Sequence, residues 1–278
     1  MRTSSLGLLA IAGGFAAAQD IPRCGSDNPP SELLRPIAQV QEESLGSPAA
    51  ESYVVNTYVH VVTTTAKEGR YPQSMIDEQI AILNSAYAAS GFSFDTINTD
   101  YSVNDTWATC NSAGSQCELD YKSSLRRGEY ADLNLYYLSD LGGLVGLLGY
   151  AEFPESGVTD DVFIRDGAVN RAGTLPGAET ERYNMGITTV HEVGHWLGLF
   201  HTFQGSSCSG DGDLVADTPQ QLDLTPGCPA SADTCPDSPG SDPIHNYMDY
   251  TDDVCKDEFT PGQADRIKNL YASLRSGK

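Results

Sequence analysis

The first half of the chain alternates between strand and helix patterns. Residues 53–65 (YVVNTYVHVVTTT) are apolar and β-branched and lie between turn-forming residues, which predicts a buried strand. Apolar side chains then recur at helical spacing after Ser74, which is placed to cap the helix. These helical positions are Ile76, Ile80, Leu83 and Tyr87. Residues 92–96 alternate and predict a second strand.

Shorter apolar runs follow. Residues 133–138 predict a central strand, residues 147–154 a short strand stopped by proline, and residues 161–164 a further strand. Near the C-terminus, residues 260–263 (TPGQ) fit a capping box with proline at the first helical position. The apolar face of that last helix consists of Ile267, Leu270, Tyr271 and Leu274. This order predicts an α/β half followed by a mostly irregular half.

The N-terminal region has the pattern of a targeting segment. Residues 1–18 start with Met1-Arg2, continue as an apolar run and end in three alanines, which is typical of a secretory signal peptide. The alternative is a buried N-terminal helix. Residues 19–50 are rich in Pro, Ser, Glu and Gln and predict a loosely ordered pro-segment. No later run approaches the roughly 18 apolar residues that a membrane span needs. Because the signal peptide and the pro-segment account for residues 1–50, the folded domain is expected over residues 51–278.

The composition narrows the range of partners. A net charge of −22 argues against nucleic acid and anionic membrane as partners. The acidic excess is compatible with bound Ca²⁺, although solubility alone also explains it. The sequon that begins at Asn104 predicts N-glycosylation of an exposed loop.

An odd number of cysteines leaves at least one without a partner in the same chain, whereas most cysteines of a secreted protein are paired. The seven are Cys24, Cys110, Cys117, Cys208, Cys228, Cys235 and Cys255. Cys24 lies far from the others along the chain. Cys110 and Cys117 are close enough to staple a single loop.

A set of histidines has the spacing of metal ligands. His191 and His195 are four residues apart, so on a helix both imidazoles lie on one face and can share an ion. Gly198 can end that helix in a sharp turn, after which His201 returns as a third ligand. Three protein ligands and one open position define a catalytic zinc site, whereas structural sites have four. We therefore predict one catalytic Zn²⁺, with Glu192 as the general base that acts on the attacking water.

The run HEVGHWLGLFH is the HExxHxxGxxH motif of the metzincins, and NYMDY further on resembles their Met-turn. Together with GDLVADTP, NYMDYTDDVC and FTPGQADRI, these motifs resemble the pappalysin family of zinc metalloproteases, in particular its small secreted fungal and microbial members. The resemblance covers roughly residues 50–275. It implies an α+β fold: a twisted mixed sheet and two long helices above a zinc cleft, and an irregular, disulfide-tied lower half with a C-terminal helix.

The resemblance also implies roles for residues outside the histidine motif. It places Met248 beneath the metal as a hydrophobic floor, and Tyr250 beside the zinc, where the hydroxyl can stabilise an oxyanion. The alternative for Tyr250 is a packed aromatic ring. Gly149, Tyr150 and Ala151 occupy the place of an edge strand that pairs antiparallel with an extended peptide substrate. The alternative for these three residues is an interior strand.

The loop over residues 211–218 contains three carboxylates, and hard Ca²⁺ prefers such oxygen ligands. The resemblance implies a structural calcium here, with Asp213 and Thr218 as the best candidates. The alternative is a solvated acidic turn.

Spacing alone leaves every pairing of six cysteines open. The disulfides that the resemblance implies are Cys208–Cys235 and Cys228–Cys255, which leaves Cys110–Cys117 as a local pair. Cys24 then remains free in the pro-segment, where its thiolate could bind the zinc and block the water site, as in the cysteine-switch latency of several metzincins. The alternatives are a disulfide to another chain and an unstructured thiol.

These observations predict a secreted zymogen of a zinc endopeptidase that cleaves peptide bonds in proteins or peptides. One rival is a secreted binding protein that keeps the scaffold without turnover. The other is an amidase or deacetylase with a similar zinc site. The presence of Glu192 opposes the first, and an exposed edge strand along a cleft would oppose the second.

Overall fold

The computed structural model describes residues 24–26, 29–31, 33–35, 37, 52–142 and 146–278. The predicted signal peptide lies outside these residues. The strands are β1 Tyr53–Thr63, β2 Phe92–Val103, β3 Leu133–Leu138, β4 Gly149–Ala151 and β5 Ala168–Arg171. The helices are α1 Gln73–Tyr87, α2 Gln116–Leu125, α3 Asp160–Arg165, α4 Ile187–Trp196 and α5 Pro261–Leu270. No helix in the described part of the chain is long and apolar enough to cross a membrane.

The five strands form one mixed sheet in the order β2-β1-β3-β5-β4. The first four in this order run parallel, and β4 pairs antiparallel with β5. β3 is the central strand, as its apolar run predicts, and it is buried along its whole length. β4 lies at an edge, so the prediction of an edge strand around Gly149 is confirmed.

The two faces of the sheet are covered by different helices. Alternation along β3 sends Leu135 and Tyr137 into the larger core with α1 and α4, and Tyr136 into a second core with α2. The α1 helix buries the four positions that its periodicity predicts. Tyr87, at its last turn, donates a hydrogen bond to the carbonyl of Val190 on α4 (2.9 Å). This contact joins the two long helices on one face of the sheet.

Two local predictions are wrong. Ser74 does not cap α1, because the helix starts at Gln73 and Pro72 occupies the cap position without a side-chain hydrogen bond. Residues 161–164 are not a strand but part of α3. Thr159 caps that helix by accepting a hydrogen bond from the Val162 amide, and Asp160 and Asp161 occupy the first turn, where the helix dipole favours negative charge.

The second half of the chain is mostly irregular between α4 and α5, and disulfides tie it together. The structure forms Cys110–Cys117, Cys208–Cys235 and Cys228–Cys255, the three implied pairs, and leaves Cys24 free. The capping box at Thr260 and Gln263 is present with Pro261 in the first turn of α5. The predicted metzincin-like α+β architecture is therefore the observed one.

The C-terminus is anchored behind α4. Arg275 is fully buried, and its guanidinium forms an ion pair with Asp166 (2.9 Å). It also donates to the carbonyl of Trp196, the last residue of α4 (3.1 Å). The Trp196 indole donates to the same Asp166 carboxylate. Hydrogen bonds to a charged group are stronger than neutral ones, so this triad fixes the end of the helix that carries two of the motif histidines.

Candidate active site

Every residue of α4 is buried, and both of its ends are held. At its start, the Asp253 carboxylate accepts hydrogen bonds from the backbone amides of Met185 and Ile187, as a capping residue does, although it comes from a distant turn. At its end, Gly198 has φ 101°, a conformation that suits glycine, and a Cβ there would collide with Leu270. The helix is thus positioned as a rigid support.

Three imidazole nitrogens meet at one point. The Nε2 atom of His195 lies 3.1 Å from Nε2 of His191 and 3.1 Å from Nε2 of His201. Tetrahedral zinc with bonds of about 2.1 Å holds its nitrogen ligands roughly 3.4 Å apart, so the spacing fits this ion. The prediction that these three side chains converge is confirmed.

Backbone carbonyls orient the imidazole rings of His191 and His195 through their Nδ1 atoms. Nδ1 of His191 lies 2.7 Å from the Tyr247 carbonyl, and Nδ1 of His195 lies 2.8 Å from the Leu199 carbonyl. A proton on Nδ1 leaves the Nε2 lone pair free for a metal. Burial lowers the pKa of all three imidazoles, that of His195 to about 4, which favours the neutral form that a metal requires.

A thiol completes the set of donor atoms. Cys24 is buried, and its Sγ and the histidine ring nitrogens all lie within 4.8 Å of one another. The thiol donates a hydrogen bond to Oε2 of Glu192 (3.4 Å). Burial and the nearby Glu192 carboxylate raise the pKa of the Cys24 thiol, and a bound cation would act in the opposite direction. The structure thus brings the predicted latency residue and the predicted base to the same centre.

The backbone after Cys24 adds a strand segment to the edge of the sheet. The Gly25 amide donates to the carbonyl of Gly149 (2.9 Å), and Cys24 forms a parallel bridge with Gly149. Ser26 Oγ accepts from the Ala151 amide (2.8 Å) and donates to the Ala151 carbonyl (3.0 Å). Residues 24–26 therefore cover the edge where an extended peptide would pair.

Gly149 itself permits a close approach between the edge strand and the base. A Cβ at this position would lie 2.8 Å from Cγ and Oε1 of Glu192 and 2.9 Å from the carbonyl of Val169. The side chain of Tyr150 points into the core on the other face of the sheet, where its hydroxyl is 3.3 Å from that of Tyr121. Of the three predicted substrate residues, Tyr150 can therefore contribute only its backbone.

The turn below the histidines is built around Met248. This residue is fully buried, and a Cβ on Gly194 of α4 would lie 2.5 Å from its sulfur. The Asn246 side chain holds the turn by accepting from the Met248 amide (3.0 Å) and donating to Gln263 (2.8 Å). The Tyr250 hydroxyl donates a hydrogen bond to the carbonyl of Cys24 (3.3 Å). The hydroxyl therefore faces the cleft, although the side chain is also buried.

The acidic loop over residues 211–218 does not use its three carboxylates alike. Asp217 accepts hydrogen bonds from Thr260 (2.8 Å) and Gly262 (2.9 Å) and so ties the loop to α5. Asp213 is buried, and burial raises its pKa to about 6. Oδ2 of Asp213 and Oγ1 of Thr218 find no partner with hydrogen-bond geometry among the described residues. The Thr218 hydroxyl nevertheless lies close enough to the Asp213 carboxyl to lower its pKa, and two such neighbouring buried oxygens fit a hard cation.

Asn104, the predicted glycosylation site, lies in a loop at the end of β2 and is partly exposed. Its side-chain oxygen accepts from the amides of Thr106 and Trp107 (both 3.0 Å). Glycosylation stays a prediction, and a mass shift after glycosidase treatment of the secreted protein would detect it.

Sequence reasoning missed four residues at the centre: Ser26, Tyr183, Thr188 and Lys256. The last three line a small pocket of about 20 Å³ together with His191 and Glu192. Val254, two residues before Lys256, does not line this pocket, and its side chain is 71% exposed. Thr188 precedes Glu192 by one helical turn, a spacing that could have indicated it.

Residues 127–272, more than half of the chain, match the family described as pregnancy-associated plasma protein-A, the pappalysin peptidases. The chain belongs to this family. An extracellular metalloprotease of Pyricularia oryzae is 44% identical over 287 residues, which cover 100% of this chain and 96% of that protein. One of Sordaria macrospora is 44% identical over 91% of this chain and 89% of the relative.

Solved structures agree with this pappalysin assignment. Promirolysin of Tannerella forsythia superposes with a TM-score of 0.71 at 25% identity and covers 91% of this chain and 97% of its own. Mature mirolysin in complex with a cleaved peptide gives a TM-score of 0.66 at 26% identity, over 82% of this chain and 97% of its own. This pappalysin is thus a secreted zinc metalloendopeptidase, and the rival readings as a binding protein or an amidase are set aside.

Proposed function

We propose that His191, His195 and His201 hold the catalytic zinc of this endopeptidase. The observation that carries the proposal is the meeting of their Nε2 atoms at a buried point, where Nε2 of His195 lies 3.1 Å from each of the other two. When bound, zinc supplies a Lewis acid that polarises the scissile carbonyl and acidifies the attacking water. The backbone carbonyls behind His191 and His195 keep their rings in the tautomer that can bind metal.

Glu192 and Tyr250 then act on protons and charge. The Glu192 carboxylate accepts a proton from the attacking water and passes it to the leaving amine. Its carboxylate lies against Gly149, so it faces the edge where the substrate backbone would run. The Tyr250 hydroxyl now donates to the Cys24 carbonyl, and in the open cleft it can donate to the oxyanion that develops from the scissile carbonyl.

The substrate is proposed to pair with β4 in place of residues 24–26. Gly149 and Ala151 offer backbone groups at an edge of the sheet, which give affinity that depends little on sequence. The pro-segment pairs parallel to β4, whereas the substrate is expected to pair antiparallel. Because the pro-segment runs in the opposite direction to a substrate, none of its peptide bonds would lie in the orientation that is cleaved. This supports a zymogen held latent by Cys24.

Removal of the metal tests the function. Full dialysis of the activated protein against a zinc chelator is expected to abolish casein hydrolysis, and stoichiometric Zn²⁺ should restore it, because no other group at the centre can polarise the carbonyl as strongly. Metal content is measured by atomic emission alongside activity. Full activity of a preparation without metal would overturn the proposal.

We also propose a structural Ca²⁺ bound by Asp213 and Thr218. A ligand at 100 times its Kd stabilises the folded state by about 2.7 kcal/mol, or roughly 5–10 °C in Tm for a domain of this size. Calcium is therefore expected to raise the Tm of the activated protein by this amount, and Asp213→Asn to abolish the rise. Asp233→Asn, at an exposed carboxylate, is the matched control. An equal calcium response in both variants would contradict the site.

A further inference from the structure

An apolar groove lies beyond the end of β4, and part of the pro-segment fills it. The walls of this apolar groove are four side chains of the catalytic domain: Phe153, Phe200, Leu270 and Leu274. Leu33 and Ile37 of the pro-segment pack with them in one buried cluster. Leu33 is only 2% exposed and Ile37 only 1% exposed. Their burial is favourable because it removes apolar surface of both partners from water.

The pro-segment presents these two side chains from one face of a short helix. Residues 31, 33–35 and 37 are helical, and the Leu33 amide donates to the carbonyl of Pro30 (2.9 Å). Positions 33 and 37 are four residues apart, so their side chains lie on the same face of a helix. Leu34, one position further on, is 46% exposed. The apolar groove therefore fits an amphipathic segment with apolar side chains four residues apart.

The apolar groove continues the cleft in which the histidines lie. Phe153 follows β4 by two residues, and the centre of its ring is 5.3 Å from that of the His195 ring. The pro-segment runs parallel to β4, and Ser26 bonds to Ala151 at the end of that strand. The residues after Ser26 therefore lead towards Phe153. A helix anchored in the groove holds residues 24–26 in place along the edge strand.

This apolar contact is separate from the thiol at the metal centre. Cys24 precedes Leu33 by nine residues, and its proposed ligation depends on a bound metal and a reduced sulfur. The burial of Leu33 and Ile37 depends on neither. The predicted boundary of the pro-segment near residue 50 lies beyond Ile37, so a cut there leaves the thiol, residues 24–26 and both apolar side chains on the released piece.

We propose that the apolar groove retains the pro-segment after it has been cut, so that the released peptide stays bound as an inhibitor of the mature enzyme through Leu33 and Ile37. This inference rests on the proposed function, because the cleft that is covered is the proposed active site. Maturation then takes two steps, cleavage of the pro-segment and its dissociation. The second step depends on concentration, because after the cut the two parts are no longer covalently linked.

The test adds synthetic peptides of residues 22–40 to the activated wild-type protein. All of them carry Cys24→Ala, so that metal ligation by sulfur contributes nothing. Binding is measured by fluorescence anisotropy of the labelled peptide, and inhibition by the hydrolysis of a quenched fluorescent substrate. The reference peptide is expected to bind saturably and to raise KM without lowering kcat, because residues 24–26 compete with the substrate for the edge of β4.

Further substitutions in the peptide locate the anchor. Leu33→Ala and Ile37→Ala should each weaken binding at least about tenfold, which corresponds to about 1.4 kcal/mol, because each removes a buried side chain from the groove. Leu34→Ala is the matched control, since this leucine of the same helix is exposed, and the affinity should stay within about twofold. The protein itself is unchanged throughout, so no variant can fail by misfolding.

Equal affinity of the Leu33→Ala, Ile37→Ala and Leu34→Ala peptides would overturn the proposal. Failure of the reference peptide to bind an active protein would also overturn it, and the groove would then serve another segment, such as an upstream part of the substrate. Direct binding separates this proposal from the proposed function. A zinc-loaded protein that binds the peptide but cleaves neither casein nor the fluorescent substrate would remove the proposed function, and the inhibitory role with it.

Discussion

Glu192→Gln in the activated protein is expected to lower kcat by about 10²- to 10⁴-fold, the usual contribution of a positioned general base. The amide keeps the size of the carboxylate, so it still fits against Gly149, where the space is tight. It cannot accept the proton of the attacking water. The measurement is kcat on a peptide substrate, made together with the zinc content of the same preparation.

Glu192 is not among the converging nitrogen donors, so the variant should hold as much zinc as the wild type. That result would separate loss of the base from loss of the metal, which His195→Ala is expected to cause. Asp257→Asn is a matched control, because this carboxylate lies outside the pocket beside the imidazoles. The role of Glu192 would be rejected if the zinc-loaded Gln variant kept more than a tenth of the wild-type kcat.

The histidine centre could be predicted from the sequence because its geometry is nearly local. A helical repeat sets His191 above His195, and a glycine turn brings back His201 within six residues. The same holds for α1 and α5, where periodicity and a capping box identify the buried faces. Local patterns are less decisive for residues 161–164, where a short apolar run fits a strand or one turn of helix.

Other parts of the site depend on contacts between distant segments, which no local pattern encodes. Asp253 caps α4 from a turn 68 residues beyond Met185. Lys256 reaches the pocket only because the Cys228–Cys255 disulfide and the Met-turn bring that loop beneath the helix. The contact between Cys24 and Glu192 spans 168 residues. The family resemblance anticipated Cys24, but the hydrogen bonds of Ser26 with the edge strand became visible only in the fold.

Cys24→Ala is expected to raise the activity of the precursor on a small peptide by tenfold or more. The thiol sulfur lies with the three histidines around the proposed zinc site, so its loss opens the position that the attacking water needs. Each ~1.4 kcal/mol of binding free energy that the pro-segment loses in the cleft raises the ratio of open to closed precursor by a factor of ten. The hydrogen bonds of Gly25 and Ser26 with the edge strand remain, so the variant should stay less active than the protein without residues 19–50.

A spectroscopic readout separates metal ligation from simple steric cover. Cobalt in place of zinc is expected to show a sulfur-to-cobalt charge-transfer band in the wild-type precursor and none in Cys24→Ala, since thiolate is a soft ligand for such ions. Arg35→Ala, an exposed change in the same segment, should leave both the band and the latency intact. A precursor without the band, or one no more active after loss of the thiol, would show that residues 24–26 block the cleft through their strand contacts alone.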